Sequence, residues 1–293
     1  MFDIETEILS FSAMAHKMDR QFLKKAFHSL IYGYYAAFGR TLPWRYTGNP
    51  YHVFISEIML QQTQVDRVVQ KYLDFTARFP SFAVLAEADF NDVLMMWHGL
   101  GYNRRAMNLQ KAAQTVVAQH NGILPSDPEV LLQLPGIGKA TAASIAAFAF
   151  NKPTVFLETN IRTVYITLFF ADHHDDIHDD LLLPIAEEML DTDAPSRWYN
   201  ALMDFGTYLK KTRPNPTRRS RQYSRQSPFH GSKRQLRGLV LKELLELGSV
   251  SKDRLYTIST DDRLDDVIEE LTKEGFIAEE GGCYMIRKET NKQ

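Results

Sequence analysis

Two short stretches of this 293-residue chain carry residue types at spacings that could do chemistry. In Leu134-Pro135-Gly136-Ile137-Gly138-Lys139, two glycines bracket one apolar residue between two helical patterns. Such a tight hairpin leaves backbone N–H groups pointing outward at the start of the following helix. Orphan donors and the helix dipole together favour an anion there without any side chain. The spacing assigns phosphate binding to Gly136, Gly138, Lys139 and Thr141, with Lys139 adding charge. Taken alone, the same turn serves equally well as a plain helix connector. The second stretch is Ser56-Glu57-Ile58-Met59-Leu60-Gln61-Gln62-Thr63, inside a long amphipathic pattern. Glu57 and Gln61, four residues apart, are expected on one helix face with Gln62 beside them. A carboxyl turned into a pocket is held protonated by desolvation and can then deliver that proton to a leaving group. An arbitrary helix glutamate is more often just an exposed carboxylate.

The elements that must position these residues are helical. Apolar residues recur at helical spacing over 21–39, ending at Gly39, and again over about 51–72, 82–97, 103–120, 127–134 and 139–150. Residues 153–158 are apolar and partly β-branched, and we read them as an extended connection. Helices are expected again over about 160–170, 179–190 and 195–210. Past Phe229 the pattern gives helices near 233–247, 251–257 and 261–274. Two short apolar runs around Glu279-Glu280-Gly281-Gly282 then read as a hairpin. Three helices and a hairpin suggest a winged helix.

Composition narrows the classes. At 44% hydrophobic, the chain can bury a full core in two or three units. Its net charge of −2 hides an uneven distribution: no acidic residue falls between Asp204 and Glu243, whereas basic residues recur from Lys210 to Arg237. Such a stretch repels itself unless a polyanion lies beside it, or unless it is a solvated linker. The single cysteine, Cys283, excludes internal disulfides, a thiolate zinc site and a four-cysteine cluster from this chain. The run His173-His174-Asp175-Asp176-Ile177-His178-Asp179-Asp180 reads as a polar loop with Asp capping the next helix rather than a metal site. No cofactor and no metal are expected. No apolar run reaches about 18 residues, and the N-terminal order is not that of a signal peptide, so the cytoplasm is the expected compartment and no membrane is expected as a partner.

Residues 43–165 resemble the MutY-type adenine DNA glycosylases of the helix–hairpin–helix superfamily, which also includes endonuclease III. The resemblance rests on Pro43-Trp44-Arg45, on Ser56 to Val65, on Gly99-Leu100-Gly101-Tyr102-Asn103-Arg104-Arg105-Ala106 and on the hairpin, in that order. It implies an all-α fold of two subdomains flanking a DNA cleft, and an enzyme that flips a base out of duplex DNA and cuts its N-glycosidic bond. It implies that Glu57 protonates adenine at N7. Gln62 and Tyr102 would enter the base stack in place of the extruded nucleotide, with Gln61 and Arg45 also at the DNA. Leu157-Glu158-Thr159-Asn160 occupies the place of the family's second carboxylate, normally aspartate. Glu158 would there stabilise positive charge on the sugar or position water, with Asn160 beside it.

Other departures shape the expectations. Bifunctional members carry a lysine two residues after the second hairpin glycine; here Ala140 stands there, implying a monofunctional enzyme. The family's four cluster cysteines are absent from the basic stretch, where Arg218, Arg219 and Arg221 are expected on phosphate instead. The 65 residues after Pro228 are too few and too helical for the family's 8-oxoguanine-reading domain, and Lys233, Arg234 and Arg237 could add duplex contacts from them. The expected division is 1–47 with 153–210, then 48–152, a linker over 211–228, and a winged-helix-like domain over 229–293. The implied partner is double-stranded DNA with a mismatched or damaged base, bound by a monomer. A glycosylase acting on thymine or uracil opposite guanine, and a DNA-binding module that has lost catalysis, remain open alternatives.

Overall fold

The computed structural model describes residues 3–15, 19–171, 173, 176–223 and 227–287. The first half forms α1 (Ile4–Ala15), α2 (Arg20–Phe38), α3 (Pro50–Leu60), α4 (Val65–Arg78), α5 (Phe82–Glu87), α6 (Phe90–Trp97), α7 (Arg104–His120) and α8 (Pro128–Leu131). The second half adds α9 (Lys139–Phe150), α10 (Thr159–Phe169), α11 (Asp179–Met189), α12 (Pro195–Thr212) and a 3-10 turn over Pro216–Arg219. It ends with α13 (Lys233–Leu247), β1 (Ser249–Ser251), α14 (Lys252–Ile258), α15 (Leu264–Lys273), β2 (Ile277–Glu280) and β3 (Cys283–Ile286). Among the described residues no helix is long and apolar enough to cross a membrane.

Two of the expected helices are divided. The 51–72 pattern breaks at Gln62, whose φ of 55° is left-handed and cannot continue a right-handed helix. Gln61 therefore lies past the end of α3 and not on the face of Glu57. The 82–97 pattern breaks at Asp89, whose carboxylate caps α6 by accepting from the Asn91 N–H at 2.8 Å.

The chain forms two compact units: residues 1–57, 125–133 and 137–224, and residues 58–124, 134–136 and 225–293. This division differs from the expected one. Helix α9 joins the first unit because its buried Ala142, Ile145, Ala146 and Ala147 allow close packing on α12. The C-terminal region joins the second, where Phe276 packs against Phe90 with ring centroids 6.0 Å apart and Glu274 pairs with Arg104 at 2.6 Å.

In the first unit, α10 lies along α12, and Phe27, Tyr165, Trp198 and Phe205 fill the core beneath them. Gly206 permits that approach: a Cβ at this position would overlap the backbone carbonyl of Asn160. Two residues earlier, buried Asp204 accepts from the Arg40 N–H and from the guanidinium groups of Arg40 and Arg45. The segment expected as a basic linker is packed as far as Ser220. Thr217 and Ser220 are buried, and Ser220 forms a β-bridge with Ile177.

In the second unit, α5 and α6 pack on α7, and buried Gln110 of α7 donates to the Ala88 carbonyl at 2.7 Å. The C-terminal region has the helix–strand–helix–helix–hairpin order of a winged helix, with a sheet in the order β1-β3-β2. Both pairings are antiparallel, with Val250 opposite Tyr284 and Ala278 opposite Met285. The hairpin is the expected one; β1, only three residues long, is an addition to it.

Candidate active site

The first unit brings Glu57 and Glu158 into electrostatic contact although about a hundred residues separate them in the chain. Glu57 is partly buried near the end of α3, and its carboxyl pKa is pushed up to about 7 by loss of hydration. The negative charge of Glu158 pushes in the same direction. The polar partner of Glu57 is Ser144 on α9, with Oγ to Oε2 at 2.6 Å. Ser144 Oγ also lies 3.0 Å from the Thr141 carbonyl, which can only accept. A hydroxyl has one proton to give, so when Ser144 donates to Thr141, a protonated Glu57 is the donor in the short contact.

Glu158 is held differently. It is the N-cap of α10, and its Oε1 accepts from the backbone N–H groups of Asn160 at 2.8 Å and Ile161 at 2.9 Å. Burial raises its pKa, whereas those two N–H groups and the charges of Lys210 and Arg162 favour the ionised form. The other oxygen, Oε2, accepts from Asn160 Nδ2 at 3.4 Å. One oxygen of Glu158 thus folds back onto the start of α10, and the second meets Asn160. The two carboxyls sit in contrasting surroundings: Glu57 meets a side-chain hydroxyl, whereas Glu158, although burial raises its pKa too, faces backbone N–H groups and cationic side chains that favour its charge.

The hairpin has the expected backbone. Gly136 has φ 80°, and a Cβ there would run into Asn108 of α7. Gly138 is the N-cap of α9 and provides no side-chain cap, so the first N–H groups of α9 have no side chain folded over them from the cap. Lys139 is exposed at this end, and Thr141 is partly buried in the first turn.

In the second unit, the two residues expected to enter the base stack share an unusual backbone. Of the described non-glycine residues with positive φ, Asn121 and Asn151 end helices, and the others are Gln62 at 55° and Tyr102 at 49°. Such conformers cost roughly 1–3 kcal/mol and persist only where their surroundings impose them. The imposing residue is Arg105, to which the sequence pattern assigns no role. Its guanidinium donates to the carbonyls of Ile58 and Met59 at the end of α3, each at 2.9 Å. It also donates to Thr63 Oγ1 at 3.0 Å and to the carbonyls of Leu100 and Gly101. One side chain therefore ties the Gln62 turn to the Tyr102 loop, and burial lowers its own pKa to about 10.

Some expected DNA contacts need correction. Arg45 is 3% exposed and bound to both oxygens of Asp204, so its donors serve the fold and not a phosphate. Arg219 donates to the carbonyls of Phe170 and His173, closing the end of α10. Arg218 is exposed, and exposed Arg221 lies 3.1 Å from His178. Lys233 and Arg237 pair with Glu270 and Glu274. In the His173–Asp180 run, the helix start at His178 has no side-chain cap, and Asp179 pairs with Arg162 at 2.7 Å. His174 and Asp175 lie outside the described residues. The iron–sulfur cluster of the resembled family does not fit this chain: the segment after α12 offers no thiolate, and Cys283 lies on β3.

Residues 55–183 match the HhH-GPD superfamily of base excision DNA repair proteins. This region of the chain is similar to an HhH-GPD domain. It holds Glu57, the Gln62 turn, the Tyr102 loop, the hairpin and Glu158, while α12 and the winged helix lie beyond it. Over 184 residues the chain is 38% identical to an adenine DNA glycosylase of Buchnera aphidicola subsp. Baizongia pistaciae, covering 62% of this chain and 52% of that protein. The human adenine DNA glycosylase is 33% identical over 192 residues, covering 62% and 35%. The chain thus spans about half or less of the length of these relatives. A thermostable thymine-DNA glycosylase superposes with a TM-score of 0.58 and 27% identity, covering 67% of this chain and 91% of that one.

Proposed function

We propose that this chain is a monofunctional DNA glycosylase of base excision repair, working as a monomer in the cytoplasm on duplex DNA with adenine opposite 8-oxoguanine or guanine. The observation that carries the reading is the unequal carboxyl pair. Glu57, with a pKa near 7, keeps a proton to place on the departing base. The C1′–N9 bond breaks with its electron pair moving to the base, and the proton from Glu57 neutralises the charge that arrives there. The sugar becomes oxocarbenium-like, and Glu158 Oε2 stabilises it and takes up a proton from the attacking water. The uncapped start of α9 with Lys139 grips a phosphate, and Gln62 and Tyr102 fill the vacated stack. Ala140 offers no amine, so no Schiff base forms and the strand stays intact.

One observation favours a second reading, that the target is thymine opposite guanine: a thymine-DNA glycosylase is 27% identical and is matched over 91% of its length. Single-turnover assays on duplexes with A opposite 8-oxoguanine, A opposite G, T opposite G, U opposite G and hypoxanthine separate the two. Release of adenine without strand cleavage supports the proposal. Release of thymine or uracil instead transfers it to the second reading, and no release from any duplex leaves only a binding module.

A further inference from the structure

A guanidinium from the winged helix closes on Tyr102. Arg234, in the first turn of α13, donates from Nη1 to the Tyr102 hydroxyl at 2.7 Å, and its Cζ lies 5.4 Å from the ring centroid. Its Nη2 is anchored on Ser227, donating to the carbonyl at 2.7 Å. The Arg105 guanidinium lies 5.7 Å from the same ring. Tyr102 is only partly buried, so core packing alone does not fix this side chain. The neighbouring cations are engaged elsewhere, Lys233 with Glu270 and Arg237 with Glu270 and Glu274. In a winged helix the third helix usually meets DNA. Here α15 exposes Asp265, Asp266 and Glu269, which phosphates repel.

We propose that Arg234 is a positioning residue for Tyr102, and that the winged helix contributes to base extrusion by holding the tyrosine in the orientation that enters the stack. This rests on the reading of Tyr102 as the wedge. A side chain already ordered before insertion loses less rotamer freedom when it inserts, which is worth roughly three- to tenfold in the extrusion equilibrium. Extrusion is read on the full chain with 2-aminopurine at the target position, whose fluorescence rises on unstacking whether or not the bond is cut. Two duplexes are compared, one with the target paired and one with it opposite an abasic gap, where less unpairing is needed.

Arg234→Ala is expected to lower extrusion about three- to tenfold more on the paired duplex than on the gapped one. Arg234→Lys, which can still donate to the hydroxyl, recovers part of the loss. In a Tyr102→Phe background, which lacks the accepting oxygen, Arg234→Ala adds little further. Equal losses on both duplexes, or full additivity with Tyr102→Phe, overturn the role of Arg234. Should Tyr102→Ala itself behave like the parent on the paired duplex, the wedge reading falls and this proposal with it, an outcome distinct from failure of Arg234 alone.

Discussion

Glu57 carries two loads that pull in opposite directions. Its pKa, about 7 against an ordinary 4.5, means that the folded chain binds a proton the unfolded chain gives up sooner. The associated stability is full below the unfolded pKa, declines as pH rises from about 4.5 and is lost once pH passes about 7. Glu57→Gln should therefore abolish base release yet raise stability at pH 8 by something on the order of 3 kcal/mol, read by urea denaturation. In the parent, single-turnover release should fall with one-proton dependence above about pH 7. Glu158→Ala should slow release about a hundredfold or more in the same assay. It should also lower stability by about 1 kcal/mol, since the cap of α10 goes with the charge. Both glutamates are legible in the chain through the text around them. The chemistry that sets their protonation is not: Ser144 stands 87 residues from Glu57, and nothing in the run Ala142-Ala143-Ser144 marks it. Arg45 shows the converse, since a motif arginine reads as a DNA contact until its buried carboxylate, 159 residues away, is seen.

Helix α12 organises the surroundings of Glu57 and Glu158 although neither carboxyl lies on it. Asp204 anchors the Arg40–Arg45 segment, Gly206 admits the start of α10, and the charge of Lys210 acts on Glu158. Gly206→Ala should push the first turn of α10 away, costing about 1–3 kcal/mol in stability by urea denaturation. It should slow base release by up to about a hundredfold through displacement of Glu158 by about an ångström. A rate loss without any stability loss would mean that the close packing at Gly206 is not what positions Glu158. Most helices are readable from their apolar spacing, and α7, α9 and α13 begin and end close to where the pattern places them. The break after α3 is not readable, because the left-handed residue is glutamine and the force holding it there is a guanidinium from α7. Local punctuation reveals a turn that glycine or proline makes, and is silent about one that a distant side chain imposes.

Charge on the molecule is sorted more finely than the count of basic residues suggests. Arg219, Arg213, Lys233 and Arg237 are engaged within the protein. Exposed Arg218 and Arg221 are the residues of the three-arginine expectation left to meet a phosphate. Reversing Arg218 and Arg221 to Glu should weaken duplex binding and lower the slope of log affinity against log salt by up to about 2, close to one for each phosphate no longer neutralised. An unchanged slope would mean that neither residue touches DNA. The winged helix is legible as three helices and a hairpin, but its attachment beside Tyr102 is not, because Phe276 and Glu274 find their partners 186 and 170 residues away in the chain. The Arg219 closure carries one more implication. A guanidinium can be neither oxidised by peroxide nor stripped away by a chelator, and it never waits for a metal to arrive. The end of α10 is therefore complete as soon as the chain has folded, at any iron supply and any redox poise.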